Sequence, residues 1–309
     1  MPAKILAFGE LLWDMLPSGK QIGGAPGNFA YHCRALGAEA ALLSRVGDDP
    51  LGHELVTAFR QRQVPTGLLQ IDPAAPTGTV DVMLVNGQPS YRIVESVAWD
   101  RITLEPDALD AVRSSDALCF GSLACRTANN RQTLYALLDA LRSEAKAVLD
   151  LNLRAPFYSP ELIAELLPRA DVLKINDEEL LVLAKMLGVS VDSSPLFAGR
   201  GVLARDKQRF VQWLLDRYDP ELLVLTCGNS GSFLFARDGR ASFVPAMANE
   251  VISAVGAGDS FTACCLVCYL AGAPLEEINT KAARLAAYVC SCLGGMPEIP
   301  PELVAELTR

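Results

Sequence analysis

Short apolar runs alternating with amphipathic stretches predict an α/β fold: a three-layer, doubly wound, mainly parallel sheet, carrying a small antiparallel β lid. Three observations support this. Strand-length apolar runs recur with helix-length stretches between them; one segment, 79–85, alternates with period two instead; and glycine clusters sit where helices begin.

Taken in order, residues 4–8 read as an opening strand with no signal peptide ahead of them. Further strands are expected at 41–44, 117–120, 147–150, 172–175 and 222–226. Amphipathic helices are expected at 28–36, 51–61, 131–143, 177–187 and 207–217. Strands spaced by helices imply right-handed crossovers and a parallel sheet covered on both faces. In such folds ligands bind outside the carboxyl ends of the strands. Residues 79–85 and 90–94 flank Asn86-Gly87, a strong hairpin signal, and residues 11–16 could pair with them. The lid therefore comprises about 11–23 and 78–98 of a single 1–309 domain, and reads either as a cover over a cleft or as an ordinary edge hairpin. Its exposed edge would be covered by homodimerisation. Residues 188–206 look like a loop-rich connection, the tail from 275 to 293 is helical, and Gly294-Gly295 ends it before a short last helix from Glu302.

Composition narrows the function. The 309 residues are 50% hydrophobic, enough for a large core, and the net charge of −9 leaves no broad basic footprint for nucleic acid. The longest strongly apolar stretch, 261–273, is too short to span a bilayer. Nine cysteines lie scattered through apolar stretches with no paired ligand cluster, which fits reduced thiols in a cytoplasmic protein. The two histidines, His32 and His53, read as structural, which removes most His-based hydrolase schemes. No Gly-x-x-x-x-Gly-Lys-Ser/Thr sequence exists, so a P-loop reading fails.

The chemistry should sit at two glycine clusters. Gly256-Ala257-Gly258-Asp259 precedes an apolar run, and a Gly-X-Gly turn opening a helix aims free N–H groups and dipole charge at one spot. Taken alone, Asp259 reads as a helix cap and the glycines as a tight connection. The second cluster, Gly23-Gly24-Ala25-Pro26-Gly27-Asn28, would let a small polar ligand approach the backbone, with Asp14 just upstream to accept hydrogen bonds from hydroxyls. Arg92 and Arg154 are candidates for clamping an anionic oxygen pair, against a background reading of surface solvation.

With these pieces, and with Gly9-Glu10, Asp150-Leu151-Asn152-Leu153-Arg154, Lys174-Ile175-Asn176-Asp177-Glu178-Glu179 and Thr226-Cys227-Gly228-Asn229-Ser230-Gly231, the chain resembles the ribokinase-like (PfkB-type) carbohydrate kinases, most of all their bacterial fructokinase-like branch. The resemblance covers essentially the whole chain. It implies γ-phosphoryl transfer from ATP to a sugar hydroxyl, with Asp259 as general base and Gly256, Ala257 and Gly258 as the anion hole. Asp14, Gly23, Gly24, Asn28 and Asn152 would join Arg92 and Arg154 on the substrate side. Asn176, Thr226, Gly228 and Gly231, with Gly256 and Gly258, would face the nucleotide. Glu179 would help hold Mg2+ through water. Fructose is the expected acceptor. A 2-keto-3-deoxygluconate kinase, a nucleoside kinase and a non-catalytic sugar sensor are the alternatives. Relatives carry Asp-Thr ahead of the last glycine turn where this chain has Ser253-Ala254-Val255, so a monovalent-cation site is in doubt; adenine contacts near Ala282-Ala283-Arg284 stay unassigned.

Overall fold

The computed structural model describes the chain except residues 18, 86, 87, 193 and 249; for 82–91 only the backbone is described. The Asn86-Gly87 turn thus lies outside the described residues. Strands are β1 (Lys4–Phe8), β2 (Leu12–Leu16), β3 (Gly19–Gly23), β4 (Glu39–Gly47), β5 (Leu69–Asp72), β6 (Gly78–Val85), β7 (Gln88–Ile93), β8 (Ala117–Gly121), β9 (Lys146–Asp150), β10 (Val172–Asn176), β11 (Phe197–Gly199), β12 (Val202–Leu203), β13 (Leu222–Thr226), β14 (Ser232–Ala236) and β15 (Ala241–Val244). Helices are α1 (Ala25–Ala35), α2 (Pro50–Gln61), α3 (Pro106–Ser114), α4 (Ala128–Ala140), α5 (Pro160–Leu166), α6 (Asp177–Met186), α7 (Arg205–Tyr218), α8 (Ala257–Leu270), α9 (Leu275–Cys290) and α10 (Pro301–Leu307).

A nine-stranded sheet runs β15-β14-β13-β10-β9-β8-β1-β4-β5. It is parallel from β13 to β5 and ends in the antiparallel pair β14 and β15. Two-residue periodicity divides each strand between two cores. On β1, Ile5 and Ala7 pack with α1, α2, α8 and α9, while Leu6 and Phe8 pack with α3 to α7. Strand order reverses between β1 and β8, so the crevice of a doubly wound sheet falls at their carboxyl ends.

The segments expected to form the lid make a four-stranded sheet, β3-β2-β6-β7. Its hairpins β2–β3 and β6–β7 are antiparallel, and they meet along a parallel β2–β6 seam. More than fifty residues of the main body intervene between the two hairpins, ample for the long connection that a parallel seam requires. The connection expected to be loop-rich at 188–206 carries the small β11–β12 hairpin, bulged at Phe197/Gly199. All nine cysteines are unpaired, and seven are buried. No helix among the described residues is long and apolar enough to cross a membrane.

Candidate active site

Strand ends build the cleft. Glu10 follows β1, Gly121 ends β8, Asp150 ends β9, Asn176 ends β10 and Thr226 ends β13. Asn176 and Thr226 are register partners on neighbouring strands, so the two nucleotide-side candidates stand together. One cavity is lined by Glu10, Phe29, Gly121, Asp150, Asn152 and Asp259, among others.

The two glycine clusters, more than 200 residues apart, meet in space. Asn28 on α1 donates from Nδ2 to Asp259 Oδ2 at 2.7 Å. Gly24, with φ 105°, precedes α1; it backs so closely onto the Glu10 carbonyl that no side chain fits. Gly256, with φ 78°, caps α8 in the left-handed region, and a Cβ there would lie 2.5 Å from Gly295 Cα. A Cβ on Gly295 would in turn lie 2.7 Å from Asn28 Oδ1. Gly294-Gly295, read from sequence as a helix stop, is therefore also the spacer between the two clusters. His32 is buried and neutral, with Nε2 2.8 Å from the Gly295 carbonyl, and burial pushes its pKa down to about 4. Its structural role matches the expectation.

At the start of α8, Ser260 donates its amide to the Gly256 carbonyl, while the amides of Gly258 and Asp259 have no partner among the described contacts. They are the free donors that a helix N-terminus offers an anion. Asp259 sits in the first turn, half-buried. Burial and the charge of Asp150 raise its pKa to about 6, against the Asn28 hydrogen bond and the charges of Lys174 and Arg154.

Below α8 lies an ion pair that the sequence reading passed over. Lys174, mid-strand on β10, donates from Nζ to Asp150 Oδ1 at 3.0 Å, and both are at least 90% buried. Thr262 on α8 closes the network, its Oγ1 2.9 Å from Asp150 Oδ2. Burial opposes charge on Lys174, but Asp150 and Glu179 outweigh it and hold its pKa up. A lysine interrupting the apolar run Val172–Asn176 was the available signal.

Glu179 forms a capping box at the start of α6. Its Oε2 accepts the Asn176 amide and Oε1 the Leu153 amide, both at 2.8 Å. Burial raises its pKa, partly offset by Lys174. Among the described residues no three His, Cys, Asp or Glu side chains converge as a metal-ligating group. With both Glu179 oxygens engaged, the chain's own donors fit magnesium only through water.

Asp14 of β2 pairs with Gln21 of β3 and turns its carboxylate over Gly23, where a Cβ would collide with it. Burial lifts the Asp14 pKa to about 6, tempered by Arg154. Arg154 is exposed; its charge acts on Glu10, Asp14 and Asp259 alike, so it stands near all three. Asn152 holds a left-handed φ of 41° beside the cavity. Arg92 is not brought to this group: its charge partner is Asp81 across the lid hairpin, at 3.8 Å. Gly228 and Gly231, with φ 49° and 113°, shape the turn after β13, and at Gly231 a Cβ would meet the backbone around Val244.

The family model for pfkB carbohydrate kinases matches residues 15–301. A fructokinase of Klebsiella pneumoniae is 29% identical over 318 residues, covering 97% of each chain. Among solved structures, an ATP-bound fructokinase of Xylella fastidiosa superposes with a TM-score of 0.82 at 21% identity, covering 98% of both chains. A 2-dehydro-3-deoxygluconokinase of Thermotoga maritima gives 0.81 at 19% identity, over 100% of this chain and 98% of that one.

Proposed function

The chain belongs to the pfkB family of carbohydrate kinases and is an ATP-dependent sugar kinase, and from that premise we propose that its acceptor is fructose and its general base Asp259. The observation that carries this reading is the 2.7 Å hydrogen bond from Asn28 to Asp259, which joins the acceptor-side glycines to the free amides of α8. An acceptor hydroxyl seated between Asp14, Asn28 and Asp259 loses its proton to Asp259 as it attacks. The γ-phosphoryl group lies against the Gly258 and Asp259 amides, which need no reorganisation to receive charge. Lys174 sits one layer below; its Nζ would be 3.3 Å from a Cβ at Gly258, close enough to add positive potential under the turn. Arg154 steers anionic groups to the mouth. Asn176, Thr226, Gly228 and Gly231 border the nucleotide. Magnesium, held mainly by the nucleotide phosphates with Glu179 reaching it through water, would neutralise phosphate charge. The lid covers the acceptor and excludes water; its outer strands β3 and β7 are where a second copy would pair.

The 2-dehydro-3-deoxygluconokinase superposes as well as the fructokinase does, so the acceptor must be read from assay. ADP release is measured with fructose, ribose, 2-keto-3-deoxygluconate and adenosine, with and without potassium. Fastest turnover of fructose supports the proposal; a faster rival replaces it. Sugar binding in calorimetry without any turnover would favour a non-catalytic sensor. Asp259→Asn should slow turnover by about 100-fold to 10,000-fold while ATP still binds, and full activity in that variant removes Asp259 from the mechanism.

A further inference from the structure

This inference rests on the sugar-kinase reading and deepens it. Glu10 belongs to a sequence motif but had no role of its own. The structure buries it to 3% exposure on the wall shared by Asp259, Asp150 and Asn152. Its backbone is clamped on two sides. Gly9, at φ 146°, has Pro26 Cγ 2.7 Å from where its Cβ would be, and Gly24 presses on the Glu10 carbonyl. The carboxyl lies near its own amide and the Ala25 amide at the start of α1. Its Oε2, however, is buried with no hydrogen-bond partner.

Capping α1 needs only one acceptor oxygen. Leaving the second bare costs free energy, and leaving it beside another acid costs more. An arrangement that the fold maintains at such cost calls for a partner from outside the protein. The chemistry of the wall says which kind. Apolar Phe29, Pro26 and Leu123 flank Glu10, Asp259 and Asn152, a lining that suits a molecule with carbon faces edged with hydroxyls. Burial, reinforced by the Asp259 charge and opposed by the two amides and Arg154, brings the Glu10 pKa up to about 7. Near neutral pH the group can therefore donate to an oxygen as well as accept from a hydroxyl.

We infer that Glu10 is a substrate-contacting residue of the acceptor pocket, its free carboxyl oxygen hydrogen-bonding a hydroxyl of the sugar other than the one that Asp259 deprotonates. The reacting hydroxyl is thereby fixed by a second point of attachment on the same molecule. A pocket built to bond a hydroxyl rejects the analogue that lacks it, so Glu10 helps select among sugars.

The test uses the fastest acceptor of the four above and its monodeoxy analogues, with wild type, Glu10→Ala and Glu10→Leu. Glu10→Ala should lower kcat/KM on the parent sugar by about tenfold or more. On one analogue, the one missing the contacted hydroxyl, wild type and variant should agree within about twofold, as expected when one contact has been removed from both sides of a cycle. The KM for ATP should be unchanged. Glu10→Leu, close in size and unable to hydrogen-bond, is read in the same way should Glu10→Ala not melt cooperatively. An equal loss on every sugar, or no loss on any, overturns the assignment and makes Glu10 a cap for α1. If wild type turns over no sugar at all, the sugar-kinase reading falls and this one with it. If wild type turns over sugar and the variants lose nothing selectively, only the role of Glu10 falls.

Discussion

Replacing Asp150 by Asn should shift the acid limb of the kinase's pH profile to lower pH. As the proposed base, Asp259 acts only when deprotonated, and its pKa stands at about 6 because burial and Asp150 both disfavour the charge. About half of the wild-type base is therefore available at pH 6, and about a tenth at pH 5. The other charged groups acting on Asp259 are Lys174 on β10 and Arg154, both of which favour its charged form, while Asp259 in turn disfavours charge on Glu10. Asp150→Asn removes a negative neighbour, which lowers the Asp259 pKa, while Glu179 and Asp259 still support the charge of Lys174 once its 3.0 Å partner is gone. A close like charge is worth about one pH unit or more, equivalent to about 1.4 kcal/mol. The variant should keep about half of its plateau rate at pH 5, about fivefold more than wild type keeps of its own. The assay is kcat/KM for the acceptor against pH by ADP release, with saturating ATP and magnesium. Nucleotide titration affects both enzymes alike, and the plateau itself is free to fall because Thr262 and Lys174 lose a partner. An acid limb that stays put, or moves to higher pH, would refute the account of how Asp259 is tuned.

Gly256→Ala should destabilise the fold by about 2–4 kcal/mol, the sum of a non-glycine residue at φ 78° and a methyl driven onto Gly295; a urea midpoint within error of wild type would contradict the packing. Activity should fall with it, since the free amides of α8 shift. Glu10→Gln should raise the melting temperature of the ligand-free protein at pH 8. The Glu10 pKa is raised from 4.5 to about 7 in the fold, so the ionised group opposes folding above pH 7 and ceases to do so below 4.5. The gain should fade between pH 7 and pH 4.5, and a gain that grows on acidification would reverse the sign of the argument.

The central sheet was legible because its strands are buried on both faces and read as unbroken apolar runs, as in Leu222–Thr226. The edge strands β5 and β15 were not, since runs such as Leu69–Asp72 are short and mix polar with apolar residues. Helices α3 and α5 were also missed, being seven to nine residues long and opened by Pro106 and Pro160, which read first as breaks. In the cleft, glycine turns and Asp259 were visible because backbone conformation constrains residue type locally. Of the Asp150–Lys174–Thr262 network only the lysine within an apolar strand was a signal, because its members come from three separated elements that the coordinates of β9, β10 and α8 bring within 3.0 Å.

That network explains why a buried lysine is tolerated here. Asp150, Asp259 and Glu10 are three acids on one wall, and without a cation their mutual repulsion would protonate Asp259 and cost it the role of base. Lys174 supplies the charge from below, out of the acceptor's way, and Arg154 supplies it from the mouth. The two differ in what they can do. Lys174 is fixed by Asp150 and buried, so it offsets part of the rise in the Asp259 pKa from a constant position. Arg154 is exposed, its guanidinium bonded only to the neighbouring Leu153 carbonyl among the described contacts, so it can swing toward an arriving anion.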